Sequence, residues 1–393
     1  MNNFEFYTPT QIIFGKNIEE GIGKKVQELG KKNVLLIYGG GSAVKSGLIE
    51  RVEKSLTAVG INVTQKGGVQ PNPRLKFVRE SIQLALEKNI DFIVAVGGGS
   101  VIDTAKAVSI GAANPSDDVW DFFTRTKTAD TGLGVGVVLT ISAAGSETSD
   151  SCVITNEEGP LKRGLNSPLN RPTFAFMNPE LTYTLPPYQI ACGIVDIMMH
   201  TMDRYFSTEC ENEITDQIAE GLLRVVVNEG ITAMRDSHDY HAMSELMWCG
   251  SLSHNGLTGL GQPKDFAVHQ LGHELSAKFD SAHGATLSAV WGAYARYVYK
   301  ANASRFARFA RNVWNVAAAG EEEAALVGIQ RTVDYFKSIG MPVSLTELHE
   351  TEWSDELICE LADKCSWQGA RTIGQFRVLG KEEIQEIYQG AIL

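Results

Sequence analysis

The 393-residue chain lacks several features that would assign it to whole classes of protein. No apolar stretch approaches the roughly 20 residues of a membrane-spanning helix. Residues 1–10 contain no basic region followed by an apolar run, so no secretory signal is visible. The six cysteines include no closely spaced CxxC pair, and we expect none of them to form a disulfide. These absences favour a cytoplasmic protein.

Positive charge is also scarce, because 35 Lys and Arg residues stand against 47 Asp and Glu, for a formal net charge of -12. Nucleic acids and anionic membranes attract basic surfaces, so we expect neither as a partner. The hydrophobic content of 44% and the charged content of 21% are those of an ordinary globular protein. The length predicts two domains, since a domain averages about 150 residues. Small molecules remain as the expected partners.

Short apolar runs flanked by glycine alternate with helical segments in the first half of the chain. Such runs are typical of buried parallel strands, and their alternation with helices indicates βαβ units. The sequence therefore predicts a Rossmann-like α/β domain with a parallel sheet over residues 1–187 and an all-α domain over residues 188–393. The strands are predicted at or near residues 5–14, 34–37, 61–69, 92–96, 135–140, 153 and 173–177.

The tetrapeptide Gly-Gly-Gly-Ser occurs twice, each time after a predicted buried strand and before a predicted helix. The copies are Gly39, Gly40, Gly41 and Ser42, and Gly97, Gly98, Gly99 and Ser100. Glycine lets the backbone approach a diphosphate, and the following helix N-terminus offers free N–H groups. Tight strand-to-helix turns also use glycine for purely steric reasons. We predict a pyrophosphate cradle at residues 97–100, with Asp103 and Lys106 just beyond it.

The first copy also bears on which dinucleotide is bound. Proteins that bind NAD commonly place a carboxylate near the end of this kind of strand, where it accepts hydrogen bonds from the ribose hydroxyls. Here the strand ends in Tyr38 and residues 39–42, with Lys45 close behind and no carboxylate among them. A 2′-phosphate could be received by backbone amides, Ser42 and Lys45. The sequence therefore favours NADP, with NAD as the alternative.

Aspartate and histidine in the second half of the chain are spaced as metal ligands would be. Asp196 and His200 are four residues apart in a predicted helix, His269 and His273 repeat the spacing, and His283 follows. Residues four apart share a helix face. One such pair alone is more often a surface hydrogen bond, but buried charge needs compensation, which a cation would supply. Carboxylate and imidazole together suit Fe²⁺ or Zn²⁺ with a position left for a substrate oxygen.

Several other residues near these motifs have no such pattern. The remaining histidines lack such a combination of spaced partners and are expected to be ordinary; they are His238, His241, His254 and His349. Phe266 and Trp291 are candidates for a substrate pocket wall and equally for plain core residues.

Taken together, the motifs resemble those of the iron-containing (group III) alcohol dehydrogenases, most of all their butanol dehydrogenase and NADPH-dependent aldehyde reductase branch. The segments that carry the resemblance are GGGSVIDTAKAV at 97–108, Gly-Ser-Glu at 145–147, NPELTYTLP at 178–186, and the aspartate and histidines described above. Two residues depart from the family pattern. Asn178 stands where an aspartate is usual, and Ala144 where a threonine is common.

The resemblance implies roles for particular residues. The metal ligands would be Asp196, His200, His269 and His283, which leaves His273 as the non-ligand histidine near the nicotinamide. Besides the two glycine loops, the implied cofactor contacts are Asp103, Thr140, Ser142 and Lys162. The implied architecture is that of dehydroquinate synthase, with the active site in the cleft between the domains. A homodimer joined through the N-terminal strands is also implied.

The expected chemistry is metal-dependent hydride transfer between NADP(H) and small primary alcohols or aldehydes. The metal would act as a Lewis acid on the substrate oxygen, and His273 would relay the proton. Two other reactions on the same fold stay open, namely polyol oxidation of the glycerol dehydrogenase type and a lyase reaction of the dehydroquinate synthase type. The lyase is expected to need more basic residues than these apolar segments offer. The alternative outside catalysis is a nucleotide-binding sensor with a structural metal.

Overall fold

The computed structural model describes residues 1–159, 161–208 and 212–393, and its contacts divide them into two compact units. The α/β unit is Tyr7–Leu185, and the helical unit is Met1–Phe6 together with Pro186–Leu393. Five cysteines are free thiols, as expected, whereas Cys210 lies outside the described residues. In the described part of the chain, no helix has the length and apolar character needed to cross a membrane.

The α/β unit contains eight strands and six α-helices within the described residues. Its strands are β1 (Gln11–Phe14), β2 (Asn33–Gly39), β3 (Asn62–Val69), β4 (Phe92–Gly97), β5 (Val135–Leu139), β6 (Ser151–Asn156), β7 (Leu161–Asn166) and β8 (Phe174–Met177). Its helices are α1 (Ile22–Glu28), α2 (Ser42–Lys45), α3 (Leu48–Thr57), α4 (Leu75–Glu87), α5 (Gly99–Ala113) and α6 (Val119–Phe123).

A parallel sheet of six strands runs through this unit in the order β1-β8-β5-β4-β2-β3, which confirms the predicted Rossmann-like fold class. The central strands are buried because their residues are apolar on both faces, as helices on both sides of a sheet require. Side chains of β2 and β4 pack on α1 and α3 in one core that includes Leu36, Val94, Val26 and Val52.

Two features of this unit differ from the predicted strands. The first strand is shorter than residues 5–14, since only Gln11–Phe14 is extended and paired, after Pro9. Met1, Asn2 and Phe4 instead lie against Gly261 of the helical unit. Strand β7 was not predicted, and it pairs antiparallel with β6 as a separate two-stranded sheet.

The strand order places the two glycine motifs at the carboxyl ends of neighbouring strands. From β2 the chain moves to β3 on one side, whereas β4 and β5 lie on the other side of β2. Strands β2 and β4 pair in parallel, with Tyr38 opposite Val96, so the loops that follow their carboxyl ends are neighbours. Such a reversal of strand order is where open α/β sheets bind their ligands.

The described residues of the helical unit form ten α-helices, as the loss of strand signals predicted. They are α7 (Pro187–Tyr205), α8 (Glu213–Arg235), α9 (Tyr240–His254), α10 (Ala267–Phe279), α11 (His283–Val298), α12 (Ala303–Trp314), α13 (Glu321–Ser338), α14 (Leu345–Leu348), α15 (Asp355–Cys365) and α16 (Lys381–Gly390). Helix α7 is apolar almost all round and is therefore central. It contacts α8, α9, α10 and α11.

Candidate functional site

In the helical unit, three imidazoles surround one oxygen atom of a buried carboxylate. The Nε2 atoms of His200, His269 and His283 lie 3.3, 3.9 and 3.8 Å from Oδ1 of Asp196. Tetrahedral metal–ligand bonds of about 2.1 Å would put neighbouring ligand atoms about 3.4 Å apart. Asp196, His200 and His269 also each offer a ligand atom within 4.8 Å of the others. The structure therefore brings together the four predicted ligands, which come from α7, α10 and the start of α11.

The donor atoms of this cluster fit a cation. Oδ1 of Asp196 and Nε2 of His269 are buried and have no hydrogen-bond partner among the described residues. Leaving such atoms unpaired is costly, and a metal ion would satisfy them. Burial, reinforced by the neighbouring His254 and His269, holds the pKa of His200 well below its usual value, so this ring is neutral, the form that coordinates metals.

The pKa of His269 is shifted in the opposite direction. Burial lowers it, but the carboxylates of Asp196 and Asp203 together outweigh burial and raise the pKa above its usual value. Asp203 contributes through a hydrogen bond of 2.5 Å between its Oδ2 and Nδ1 of His269. The sequence interpretation missed Asp203, although its position seven residues after Asp196 and three after His200 puts it on the same helix face.

His254, which was predicted to be ordinary, lies beside the cluster. Its ring stacks on that of His200 with 3.9 Å between centroids, at the C-terminal end of α9, and the residue is buried. Phe266 also lies at the cluster, with its ring 5.2 Å from that of His269, whereas Trp291 is fully buried in the core against Phe336. Phe266 therefore stays a candidate for the wall of a substrate pocket, whereas Trp291 is a core residue.

His273, the predicted proton relay, follows His269 by one turn of α10 and is half-buried. Its ring lies 5.4 Å from that of His283 and 6.4 Å from that of His269. The position beside two candidate ligands agrees with a residue that acts next to the metal. Its catalytic role stays a prediction.

In the α/β unit, the loops after β4 and β5 meet at the candidate dinucleotide cradle. The Thr140 N–H donates to the Gly97 carbonyl over 3.1 Å, and a side chain at Gly98 would come within 2.0 Å of the Ile141 methyl group. Gly98 is therefore required for packing, and its contact with a phosphate stays a prediction. Helix α5 begins at Gly99, so its first N–H groups have no acceptor within the helix.

Two hydroxyl-bearing residues of the predicted cofactor site differ in their surroundings. Oγ of Ser142 is buried and has no hydrogen-bond partner among the described residues, which fits a bound polar ligand. Ser42, after Gly40 and Gly41, is exposed at the start of α2, as is Lys45 at its end.

Asp103, a predicted cofactor contact, is surrounded by polar groups of the protein, and its cofactor role stays a prediction. Its Oδ1 accepts a hydrogen bond from the Ser146 hydroxyl at 2.6 Å, and its Oδ2 accepts one from the Val153 N–H at 2.8 Å. Both oxygens therefore bind the protein itself. Burial raises the pKa of Asp103, and the nearby Lys106 and Lys162 oppose that rise.

Lys106 completes this buried polar cluster. Its ammonium group donates to the Ser146 hydroxyl at 2.8 Å and to the Ser151 carbonyl at 2.7 Å, and it lies 4.0 Å from Oδ1 of Asp103. These bonds attach residues 146–153 to α5. Burial lowers the pKa of Lys106, and Asp103 opposes that effect.

Lys162 lies on β7, the strand that was not predicted. Its side chain is buried and donates to Oδ1 of Asn72 at 2.9 Å.

At the two departures from the family pattern, Ala144 lies against Gly99, and Asn178 accepts from the Glu180 N–H at 3.1 Å. Asparagine therefore makes the turn that an aspartate would make.

Lys106→Met is expected to lower the free energy of unfolding of the α/β unit by about 3–5 kcal/mol, because it leaves a buried carboxylate without its countercharge. The measurement is the shift in the denaturant midpoint. Lys66→Met is the control, since Lys66 pairs with Glu80 on the surface and its loss should cost less than about 1 kcal/mol. Equal effects of the two substitutions would contradict the role assigned to Lys106.

The cluster of candidate metal ligands and the Rossmann-like sheet together are typical of one class of protein, the oxidoreductases that use a metal ion and a dinucleotide. Comparison with known proteins agrees. The family described as "Iron-containing alcohol dehydrogenase" matches residues 9–179, and "Fe-containing alcohol dehydrogenase family, C-terminal" matches residues 190–392. The chain belongs to the iron-containing alcohol dehydrogenase family.

Individual relatives match over the whole length. The chain is 36% identical over 394 residues to the probable NADH-dependent butanol dehydrogenase 1 of Bacillus subtilis, with 100% of both chains covered. It is 33% identical over 393 residues to the NADPH-dependent aldehyde reductase YqhD of Escherichia coli, again with 100% of both covered. The crystal structure of NADH-dependent butanol dehydrogenase A from Thermotoga maritima matches with a TM-score of 0.96 and 35% identity, covering 100% of this chain and 99% of that chain. The predicted family and enzyme class are confirmed.

Proposed function

We propose that the protein catalyses reversible, metal-dependent hydride transfer between NADP(H) and small primary alcohols or aldehydes. The observation that carries the proposal is the cluster of three imidazole nitrogens within 4 Å of one buried carboxylate oxygen. A divalent ion bound there, Fe²⁺ or Zn²⁺, would polarise the carbonyl oxygen of an aldehyde as a Lewis acid. The apolar residues of the surrounding helices favour a small uncharged substrate.

The chain's own residues would hold the metal and manage the proton. Asp196, His200, His269 and His283 would be the ligands, because their donor atoms converge and two of these atoms lack another partner. The alkoxide formed by hydride addition must gain a proton. His273 is the proposed donor, because it is half-buried and one turn beyond His269.

NADP is the proposed coenzyme, with NAD as the alternative. The loop at residues 39–42 contains no carboxylate that would repel a 2′-phosphate, and Ser42 and Lys45 are exposed beside it. The relatives do not decide the question, since the butanol dehydrogenases are named as NADH-dependent and YqhD as NADPH-dependent.

The test is a steady-state comparison of NADPH with NADH on a series of straight-chain aldehydes, using protein loaded separately with Fe²⁺ and Zn²⁺. We expect higher kcat/KM with NADPH. We also expect Ser42→Asp to lower the NADPH value by at least about tenfold, because like charges brought together cost more than 1.4 kcal/mol.

Ser46→Asp is the control for Ser42→Asp, since Ser46 is likewise exposed but lies after the end of α2. It should leave the preference for NADPH nearly unchanged. A wild-type preference for NADH would refute the coenzyme assignment. Absence of aldehyde turnover with either metal and either coenzyme would refute the proposed function.

A further inference from the structure

A buried carboxylate binds the nitrogen of His269 that faces away from the cluster. Nδ1 of His269 lies 2.5 Å from Oδ2 of Asp203, and both side chains are only 4% exposed. The other ring nitrogen, Nε2, lies 3.9 Å from Oδ1 of Asp196. The ring of His269 therefore lies between two carboxylates, one at each nitrogen.

Both carboxylates belong to α7, whereas His269 belongs to α10. Asp196 and Asp203 are separated by two helical turns on one face of α7, which is the face that α10 contacts. Helix α7 thus supplies the candidate ligand oxygen of Asp196. It also supplies the carboxylate that contacts the imidazole of His269, which belongs to α10.

The backbone at Asp203 is fixed as well. Its carbonyl accepts a hydrogen bond of 2.8 Å from the N–H of Asp265, two residues before the start of α10. The side chain of Asp265 accepts hydrogen bonds from the Ala267 N–H and the Tyr294 hydroxyl, and also from the N–H groups of Gln375 and Phe376. The first turn of α10 is therefore attached to α7 independently of the side chain of His269.

An imidazole with a carboxylate at Nδ1 keeps its proton there, which leaves the Nε2 lone pair available for coordination. Such a partner also stops the ring from rotating and raises its basicity as a ligand. We infer that Asp203 is a positioning residue that orients His269 and strengthens its bond to the divalent metal. The inference rests on the metal site of the proposed function and assigns Asp203 no contact with substrate.

The test uses Asp203→Asn in the full-length chain, with Zn²⁺ alone as the probe. Asparagine keeps the shape and one acceptor oxygen but removes the charge. Loss of such a partner typically weakens metal binding by about 10–100-fold, so we expect the Kd for Zn²⁺, measured by competition with a chromophoric chelator, to rise by at least about tenfold. The visible spectrum of Co²⁺-loaded protein should also shift, because one ligand has changed in donor strength.

Glu220→Gln is the matched control. Glu220 is also a buried carboxylate of the helical unit, and it accepts a hydrogen bond of 2.8 Å from the hydroxyl of Tyr205, the last residue of α7. General damage to α7 should therefore appear in this variant too. We expect its Zn²⁺ affinity and Co²⁺ spectrum to match those of the wild type.

A folded Asp203→Asn variant that binds Zn²⁺ within about threefold of the wild type would overturn the inference. If asparagine prevents folding, Asp203→Ser provides the same comparison with space for a water, and the same two outcomes apply. A wild-type protein that binds Zn²⁺ tightly, loses affinity on Asp203→Asn and reduces no aldehyde would support the inference and refute the proposed function. A wild-type protein that binds neither Zn²⁺ nor Fe²⁺ would refute both.

Discussion

His200→Ala is expected to abolish stoichiometric metal binding and to lower kcat/KM for aldehyde reduction by at least about a thousandfold. His200 supplies the imidazole nitrogen nearest to Oδ1 of Asp196, at 3.3 Å. Lewis-acid stabilisation of a developing alkoxide contributes several kcal/mol, and each 1.36 kcal/mol of lost stabilisation slows the reaction tenfold. The measurements are metal content after dialysis and steady-state kinetics with NADPH and butanal.

His241→Ala is the control for that prediction, because His241 is exposed on α9 and is not one of the cluster residues. It should keep one metal per chain and wild-type kinetics. A His200→Ala protein that retains a full complement of metal, or more than about a tenth of the wild-type kcat/KM, would show that His200 is not a ligand.

Gly284→Ala is expected to weaken Zn²⁺ binding at least about tenfold and to lower the free energy of unfolding by about 1–3 kcal/mol, the usual cost of overpacking. A Cβ atom at Gly284 would lie 2.2 Å from the Cys192 carbonyl oxygen and 2.7 Å from its Cα. These are backbone atoms of α7, so they cannot rotate away. Helix α11 must therefore move, and it would take the adjacent His283 away from Asp196, because α11 begins at His283.

The control is Gly221→Ala in α8, where the nearest atom to an added Cβ is the end of the Arg224 side chain at 3.7 Å. Alanine there should leave Zn²⁺ affinity unchanged and stabilise the helix by up to about 1 kcal/mol. Chelator competition and denaturant unfolding provide both quantities for each variant. Equal Zn²⁺ affinity in the two variants would mean that the contact between α7 and α11 does not position His283.

Helical periodicity was sufficient to predict half of the metal cluster. Asp196 and His200 share a face of α7 because side chains four residues apart project together, and the same holds for His269 and His273. That His269 and His283 reach Asp196 depends on how α10 and α11 pack on α7. Periodicity says nothing about that packing. The spacing suggested five residues for one cation, and the resemblance selected four of them as ligands.

His254 shows the limit of spacing as a signal. It ends α9, 54 residues after His200 in the sequence, yet its ring stacks on that of His200. No nearby aspartate or histidine marks it, because its neighbour comes from another helix. Asp203 is the opposite case, because its spacing from Asp196 and His200 puts it on the ligand face of α7. A carboxylate at that spacing is a candidate for a hydrogen bond to the second nitrogen of a ligand histidine.

The parallel sheet was predictable because buried strands are continuous apolar runs between glycines. Strand β7 was not, because three of the six residues in its sequence LKRGLN are polar and the one that is buried is a lysine. Asp103 illustrates a different limit. Its spacing after the glycine loop is compatible both with a cofactor contact and with the internal hydrogen bonds to Ser146 and Val153 that the structure shows.

Anomalous diffraction from crystals of the Zn²⁺-loaded protein, recorded on both sides of the zinc absorption edge, tests the metal cluster most directly. The expected result is one strong peak per chain, within about 2.0–2.2 Å of Asp196, His200, His269 and His283. A chain with no peak there, or with its zinc bound by other residues, would contradict the proposal that these four side chains form the catalytic metal site.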